Sequence, residues 1–300
     1  MKVLITGTSG FIGHHVALEF QRKGYDVVGW DRVEANTGFP TMKIDMFDVE
    51  EVAKLLSFSP PDIIIHCAGL ADVGKSVANP IMDYHSNVTI THDLLFTLHK
   101  LGLEKTRFVF LSSAGVYGNP VSLPITEDML LNPLSPYAVH KVMCEDICKY
   151  FSENYKMNVK VARVFSAYGV GLKKQIFWDM YQKQKKTGQL NMFGTGNESR
   201  DFIHVDDVIQ ALFLLATTDS QYVTYNVANG MEVTIKEVVK MFAEAVGIME
   251  ENITFNGVVR EGDPLNWRAD ITRIQELGYK RTVDMQKGIE EYVKWVKDQV

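Results

Sequence analysis

Lys2-Val3-Leu4-Ile5-Thr6-Gly7-Thr8-Ser9-Gly10-Phe11-Ile12-Gly13 begins as an apolar run of strand length and ends in three evenly spaced glycines. Lys2 to Thr6 reads as a short buried strand, and the pattern from His14 to Lys23 reads as a helix. The loop between them is a glycine fingerprint in its proper setting. Gly7 permits a tight turn, Gly10 lets backbone approach a pyrophosphate, and Gly13 allows the helix to lie close on the strand. The helix N-terminus, with Phe11 and Ile12 beside these glycines, favours an anion. Glycine at i, i+3 and i+6 is tighter than the usual dinucleotide spacing.

Working outward, a second strand from Asp26 to Trp30 ends at Asp31, eighteen residues beyond Gly13. An acidic side chain there can accept hydrogen bonds from an adenosine ribose, which favours NAD over NADP because a 2′-phosphate would meet a carboxylate. Arg32 keeps NADP open, since a guanidinium could accommodate that phosphate. Asp45 follows a third short strand, where a carboxylate can hold an adenine amino group or simply cap a turn; Asp48 is the better helix cap. Asp62 to His66 is another apolar strand, and the small residues of Cys67-Ala68-Gly69 would let backbone lie against a cofactor. Ser76 to Lys100 looks helical around Pro80, with Asn87 inside it as a carboxamide able to tie backbone to a cofactor cleft. Arg107 to Ser112 makes the next strand. This alternation predicts an α/β, doubly wound parallel sheet whose ligands lie beyond the carboxyl ends of the strands.

Ser112-Ser113-Ala114-Gly115-Val116-Tyr117-Gly118 closes that strand, and Tyr137-Ala138-Val139-His140-Lys141 follows twenty-four residues after Ser113. Ser135 and Pro136 read as cap and first residue of a helix, which puts Tyr137 and Lys141 on one face. A phenol beside a fixed positive charge becomes usable as a base, and the Ser113 hydroxyl can bridge substrate oxygen and phenol.

The 300 residues, 46% hydrophobic and 23% charged, have the composition of an ordinary globular protein. A formal charge of −6 gives no general attraction for nucleic acid. Lys183, Lys185 and Lys186 read as a solvated helix face. Cys67, Cys144 and Cys148 suit neither a disulfide framework nor, without partner ligands, a metal, and imply a reducing, cytoplasmic setting. Gly7, Ser9 and Gly10 interrupt the N-terminal apolar run before it reaches signal-peptide length, and no apolar stretch approaches a membrane span.

These residues resemble the extended short-chain dehydrogenase/reductase superfamily, in particular its nucleotide-sugar epimerase/dehydratase family, over essentially the whole chain. Thr6 to Gly13 matches TGxxGFIG, His66 to Gly69 resembles H-x-A-[AG], Ser112 to Gly118 matches SSxxVYG, and Tyr137 to Lys141 matches YxxxK. The resemblance implies a Rossmann sheet and a catalytic triad of Ser113, Tyr137 and Lys141, with Lys141 also holding the nicotinamide ribose. A strand from Val159 to Val164 places Val164 with the cofactor residues and leads into Phe165-Ser166-Ala167-Tyr168-Gly169, which resembles RxFNxYGP. Ser166 stands where the family carries a sugar-diphosphate-contacting Asn, Val170 replaces its Pro, and His140 replaces its Ser. Phe193 to Asp207 resembles GxGxxxRDFxxVxD and Arg260 to Asp263 resembles RxGD, so Arg200 and Arg260 would clamp a diphosphate, with Asp263 beside them.

The resemblance implies a NAD-binding part over residues 1–165 plus about 203–228. A nucleotide-sugar-binding part would span about 166–202 and 229–300. Sugar discrimination would fall around Ala71 to Ser76, Ser166 and Leu172 to Phe177, with Ser76 a substrate contact. The family's dehydratases carry Asp-Glu after the catalytic hydroxyl; Ala114-Gly115 cannot move a proton, which argues against 4,6-dehydration. Epimerisation at C4 of a UDP-hexose through a 4-keto sugar is the leading expectation, with NAD(P)H-dependent reduction of a 4-keto-6-deoxy sugar as the alternative and a non-catalytic nucleotide-binding protein behind both. Family members dimerise through paired helices, which here would be Asn87 to Lys100 and Val139 to Tyr155, implying a homodimer.

Overall fold

The computed structural model describes residues 1–34, 38–258 and 265–299. Strand β1 (Lys2–Thr6) leads into helix α1 (Phe11–Arg22), followed by β2 (Asp26–Asp31), β3 (Thr41–Lys43), α2 (Val49–Phe58) and β4 (Ile63–His66). Next come α3 (Val73–Ala78), α4 (Pro80–Tyr84), a π-helical turn (His85–Thr89), α5 (Ile90–Lys100), β5 (Arg107–Ser113), α6 (Pro136–Tyr155) and β6 (Val159–Val164). The remainder comprises β7 (Ser166–Tyr168), α7 (Gln175–Thr187), β8 (Leu190–Met192), β9 (Ser199–Arg200), β10 (Phe202–His204), α8 (Val205–Thr217) and β11 (Thr224–Val227). The chain closes with β12 (Val233–Thr234), α9 (Ile235–Val246), β13 (Ile253–Phe255), α10 (Thr272–Glu276) and α11 (Met285–Lys297).

Seven strands form one sheet in the order β11-β6-β5-β4-β1-β2-β3, every neighbouring pair parallel. Strand order reverses between β1 and β4, and such a switch point opens a crevice at the carboxyl ends of the strands. Thr6 pairs with both Trp30 and His66, so Gly7, Asp31 and Cys67 stand at one level at the carboxyl edge of the sheet. Both faces are covered, as the unbroken apolar run Ile63-Ile64-Ile65 requires. Val16 and Phe20 of α1 pack with Val208 and Leu212 of α8 on one side, and Leu95, Leu98, Cys144 and Cys148 of α5 and α6 cover the other. A third core gathers Phe177, Phe242 and Tyr292 from α7, α9 and α11.

Two boundaries differ from the sequence expectation. Helix α1 starts at Phe11 rather than His14, because Gly10 is extended and serves as its N-cap. The helical stretch to Lys100 is broken: Asn79 turns its backbone to φ −145° and its side chain accepts the Met82 N–H at 3.0 Å, starting α4 afresh. Asp48 does cap α2, accepting the Glu51 N–H at 2.9 Å.

Candidate active site

Ser135 caps α6 by accepting the Ala138 N–H, and Pro136 occupies the first turn. The Tyr137 N–H donates to Ser76 Oγ at 3.1 Å, and Ser76 Oγ donates in turn to the Val73 carbonyl at 2.7 Å. Ser76 is buried with its proton committed to the Val73 carbonyl, and its hydroxyl fixes the start of α6. Lys141 is also buried, its Nζ donating to the Leu111 carbonyl at 3.0 Å and lying 4.7 Å from the Phe110 ring centre and 5.8 Å from that of Tyr137. Ser113, paired in register with Val164, accepts the Gly115 N–H at 3.1 Å, an arrangement that leaves the hydroxyl proton to be donated elsewhere. A Cβ built on Gly115 would stand 3.4 Å from Ser113 Oγ and 3.7 Å from Ala138 Cβ, so the turn after the serine lies against the first turn of α6. Ala114 is buried. Serine, phenol and ammonium are thus gathered around the end of β5.

At the switch point a cleft of about 300 Å³ brings together Gly7, Gly10, Asp31, Arg32, Asp45, Ala68 and Gly69, along with Trp30, Met46 and Ser86, which the sequence reading had not singled out. Ser113, Tyr137, Lys141, Asn87 and Val164 do not line it. Gly7 holds φ +74°, and a Cβ on Gly13 would fall 2.3 Å from the Gly7 carbonyl oxygen, so helix and strand touch through backbone. Asp31 is held at the rim by the Ser9 N–H at 2.8 Å and the Val33 N–H at 3.1 Å. Asp45 accepts the Phe47 N–H at 3.1 Å, so it caps a turn while facing the cleft.

The donor set fits a dinucleotide. Among the described residues no side chain caps α1, and its first turn holds no acid, which leaves the amides of its N-terminus for an anion. Ser86 Oγ and Asn87 Oδ1 are buried without a hydrogen-bond partner among the described residues. Asn87 Nδ2 donates to the Leu70 and Asp83 carbonyls, both at 3.1 Å, and its Oδ1 would meet any Cβ on Gly69 at 2.5 Å.

A family model described as "NAD dependent epimerase/dehydratase family" matches residues 3–228. The chain belongs to this family. Among its relatives, the UDP-glucose 4-epimerase of Bacillus subtilis is 32% identical over 97% of this chain and 94% of its own length. The UDP-glucose 4-epimerase of Mycolicibacterium smegmatis is 30% identical over 99% of each. Among solved structures, the UDP-glucuronic acid 4-epimerase of Bacillus cereus, in complex with UDP-glucuronic acid and NAD, superposes with a TM-score of 0.90 at 26% identity, covering 100% of both chains.

Sequence reading missed what holds this family member's site together. His66 is buried between two threonines, with Nδ1 2.8 Å from Thr6 Oγ1 and Nε2 3.2 Å from Thr91 Oγ1. Thr6 Oγ1 accepts the Ala68 N–H and Thr91 Oγ1 donates to the Asn87 carbonyl, so the network assigns a neutral imidazole protonated at Nε2. Burial, reinforced by the Lys141 charge, lowers the His66 pKa to about 3. The motif quoted at His66 was the available signal, but its partners lie far apart in sequence. Glu145, one turn beyond Lys141, takes the Arg163 guanidinium at 2.6 Å and the Ser112 hydroxyl, joining α6, β5 and β6 behind Ser113.

Toward the C-terminal half, Arg200 donates to the Ser199 carbonyl at 2.8 Å and its guanidinium lies 5.7 Å from the Trp267 ring centre. Trp267, another residue not anticipated, donates its indole N–H to the Gly118 carbonyl at 3.0 Å and so links Arg200 to the turn after Ser113. Ser166 opens β7, half-buried, its N–H bonded to the Asp201 carbonyl. Arg260 and Asp263 lie outside the described residues.

Proposed function

We propose that this protein is a UDP-hexose 4-epimerase that works through a transient 4-keto sugar with bound NAD. The observation that carries the proposal is Ser113, Tyr137 and Lys141 gathered at one strand end, with only Ala114 and Gly115 after the serine. That pair offers no additional acid or base for eliminating water from the sugar. The names of the curated relatives support the UDP-hexose and the C4 position.

Gly7, Gly10, Phe11, Ile12, Gly13, Ala68, Gly69, Asn87 and Val164 would hold the cofactor, with Asp31 at the adenosine ribose, Arg32 and Asp45 near the adenine, and Tyr137 and Lys141 at the nicotinamide ribose. NAD, when bound, supplies reversible oxidation and reduction at C4. Tyr137 takes the C4 hydroxyl proton onto its phenolic oxygen and later returns it. The Lys141 ammonium, fixed by the Leu111 carbonyl, stabilises the phenolate form in which Tyr137 stands before it takes the proton and to which it reverts on returning it. Ser113, using the proton that its Gly115 contact leaves free, donates to the C4 oxygen and keeps it oriented. Between the two proton transfers the keto sugar turns so that its other face is presented. Ser166, Arg200, Arg260 and Asp263 would hold the diphosphate and sugar, in a substrate-binding part made of residues 166–202 and 229–300.

The protein would act as a homodimer through α5 and α6. Its three cysteines are free, consistent with the cytoplasm, and no helix among the described residues is long and apolar enough to cross a membrane.

The test is an NMR time course on the purified protein with a panel of nucleotide sugars, first without added cofactor and then with NADPH. Conversion of a UDP-hexose to its C4 epimer without added cofactor is expected, with Tyr137→Phe slower by roughly 10²- to 10⁴-fold. NADPH consumption by a 4-keto sugar with no epimer from any substrate would replace this reading with a reductase.

A further inference from the structure

His140 stands between Tyr137 and Lys141 at the position where the family pattern carries serine. Its imidazole reaches out of α6 to α4, where Nδ1 meets Asp83 Oδ2 at 2.6 Å. Both residues are buried, Asp83 at 1% exposure and His140 at 8%. The other carboxylate oxygen, Asp83 Oδ1, is buried with no hydrogen-bond partner among the described residues. A buried carboxylate with one bare oxygen is costly, so His140 is the group that makes Asp83 tolerable there. A serine hydroxyl at position 140 would stop one bond short of the place that the imidazole Nδ1 takes against Asp83.

We propose that Asp83 and His140 are a positioning pair that seats Tyr137 and Lys141 relative to the cofactor loop. Asp83 stands in the last turn of α4, one residue before its end, and its carbonyl accepts from Asn87 Nδ2 at 3.1 Å. The same Nδ2 donates to the Leu70 carbonyl, directly after Gly69. One side-chain bond to α6 and one carboxamide bridge therefore connect the catalytic helix to the loop after β4. The π turn widens the backbone at this point, which brings the Asn87 carboxamide within reach of both carbonyls. Tyr84, beside Asp83, sets its ring edge-on to His140 at 5.5 Å and closes the pair from outside. The pair acts through Tyr137 and Lys141 and touches no substrate. It rests on the assignment of Tyr137 as the base.

The experiment measures kcat, KM and melting temperature for His140→Ser, His140→Asn, Asp83→Asn and the double variant His140→Ser/Asp83→Asn. A tilt of the catalytic helix by a fraction of an ångström to an ångström lowers kcat roughly ten- to a hundredfold. The expected result is that loss in His140→Ser with KM within about twofold, since substrate contacts are untouched. Asn places a donor nitrogen on Cγ where the imidazole has Nδ1, so His140→Asn should recover most of kcat. The double variant should be no slower than His140→Ser, because the pair acts as a unit. Asp83→Asn, which keeps shape, serves if His140→Ser does not fold and should lose several-fold in kcat alone. Wild-type kcat in folded His140→Ser or Asp83→Asn would overturn the pair. So would His140→Asn falling as far as His140→Ser with KM and melting temperature moving in parallel, which is the signature of general destabilisation. Tyr137→Phe run alongside separates the two ideas: turnover there overturns the base assignment, whereas an inactive Tyr137→Phe beside a fully active His140→Ser overturns the pair alone.

Discussion

His66 and Asp201 are buried titratable residues that oppose one another in pH. Burial lowers the His66 pKa to about 3 from an ordinary value of 6.5. Between those values the unfolded chain binds a proton that the folded chain refuses, so stability is lost as pH falls through this window. Burial raises the Asp201 pKa to about 7 from 3.8, outweighing the amides of Ala269, Asn229, Gly230 and Met231. There the folded chain holds the extra proton, so stability is lost as pH rises from about 4 to 7. The two slopes, each about 1.4 kcal/mol per pH unit, cancel over much of the shared range. Asp201→Asn should therefore expose the His66 slope, losing stability steadily as pH drops from 6.5 toward 4. His66→Gln should expose the opposite slope and gain stability over the same drop. Urea denaturation followed by circular dichroism at half-unit pH steps reads both, and parallel slopes in the two variants would refute the argument.

The elements show which parts of this site a sequence can reveal. Gly10 and Gly13 were readable because close approach of α1 to β1 leaves no room for Cβ, a local constraint between neighbours in sequence, and Gly7 because its turn takes a positive φ, although the backbone its Cβ would meet is that of Cys67 and Ala68. Ser135 and Pro136 were readable for the same reason, since caps act within one turn. The anchoring of α6 by Ser76 was not readable because its partner, the Tyr137 amide, is sixty-one residues away. The π turn at Asn87 was invisible, since its residues suit an ordinary helix and the Leu70 carbonyl that its carboxamide meets lies seventeen residues away. The Asp83–His140 bond likewise joins α4 to α6 across fifty-seven residues. Local geometry predicts a test at this scale. In Gly13→Ala the new methyl would stand 2.3 Å from the Gly7 oxygen, a distance that real Cβ atoms do not tolerate. Helix α1 must then shift away from β1, which costs about 1–3 kcal/mol as other overpacked contacts do. The same shift draws the N-terminal amides off the pyrophosphate position. Lower melting temperature together with weaker NAD binding by calorimetry is expected, and unchanged NAD affinity would detach the glycine from cofactor binding.

For the whole molecule, the proposed homodimer rests on the outer faces of α5 and α6. The inner faces of both helices are buried against the sheet, yet Phe96 is 40% exposed, Met143 41% and Tyr150 52%. His92 stacks on Phe96 along one outer stripe, at 5.9 Å between ring centres, while Met143 and Tyr150 lie two turns apart on the other. His92 also meets Phe151 of α6 edge-on at 6.1 Å, which places the two stripes side by side. Two adjoining helices that each offer aromatic and Met side chains outward suit a second pair of the same helices, related by a two-fold axis. In such an interface every residue appears twice, so one introduced charge is doubled and faces its own copy or apolar neighbours. Light scattering of the wild type at micromolar concentration should give twice the 33.9 kDa chain mass. Tyr150→Lys combined with Met143→Lys should give the chain mass alone without altering the helical circular dichroism, since neither side chain belongs to the buried core. A wild type that already elutes and scatters as a single chain would show that this face stays in water.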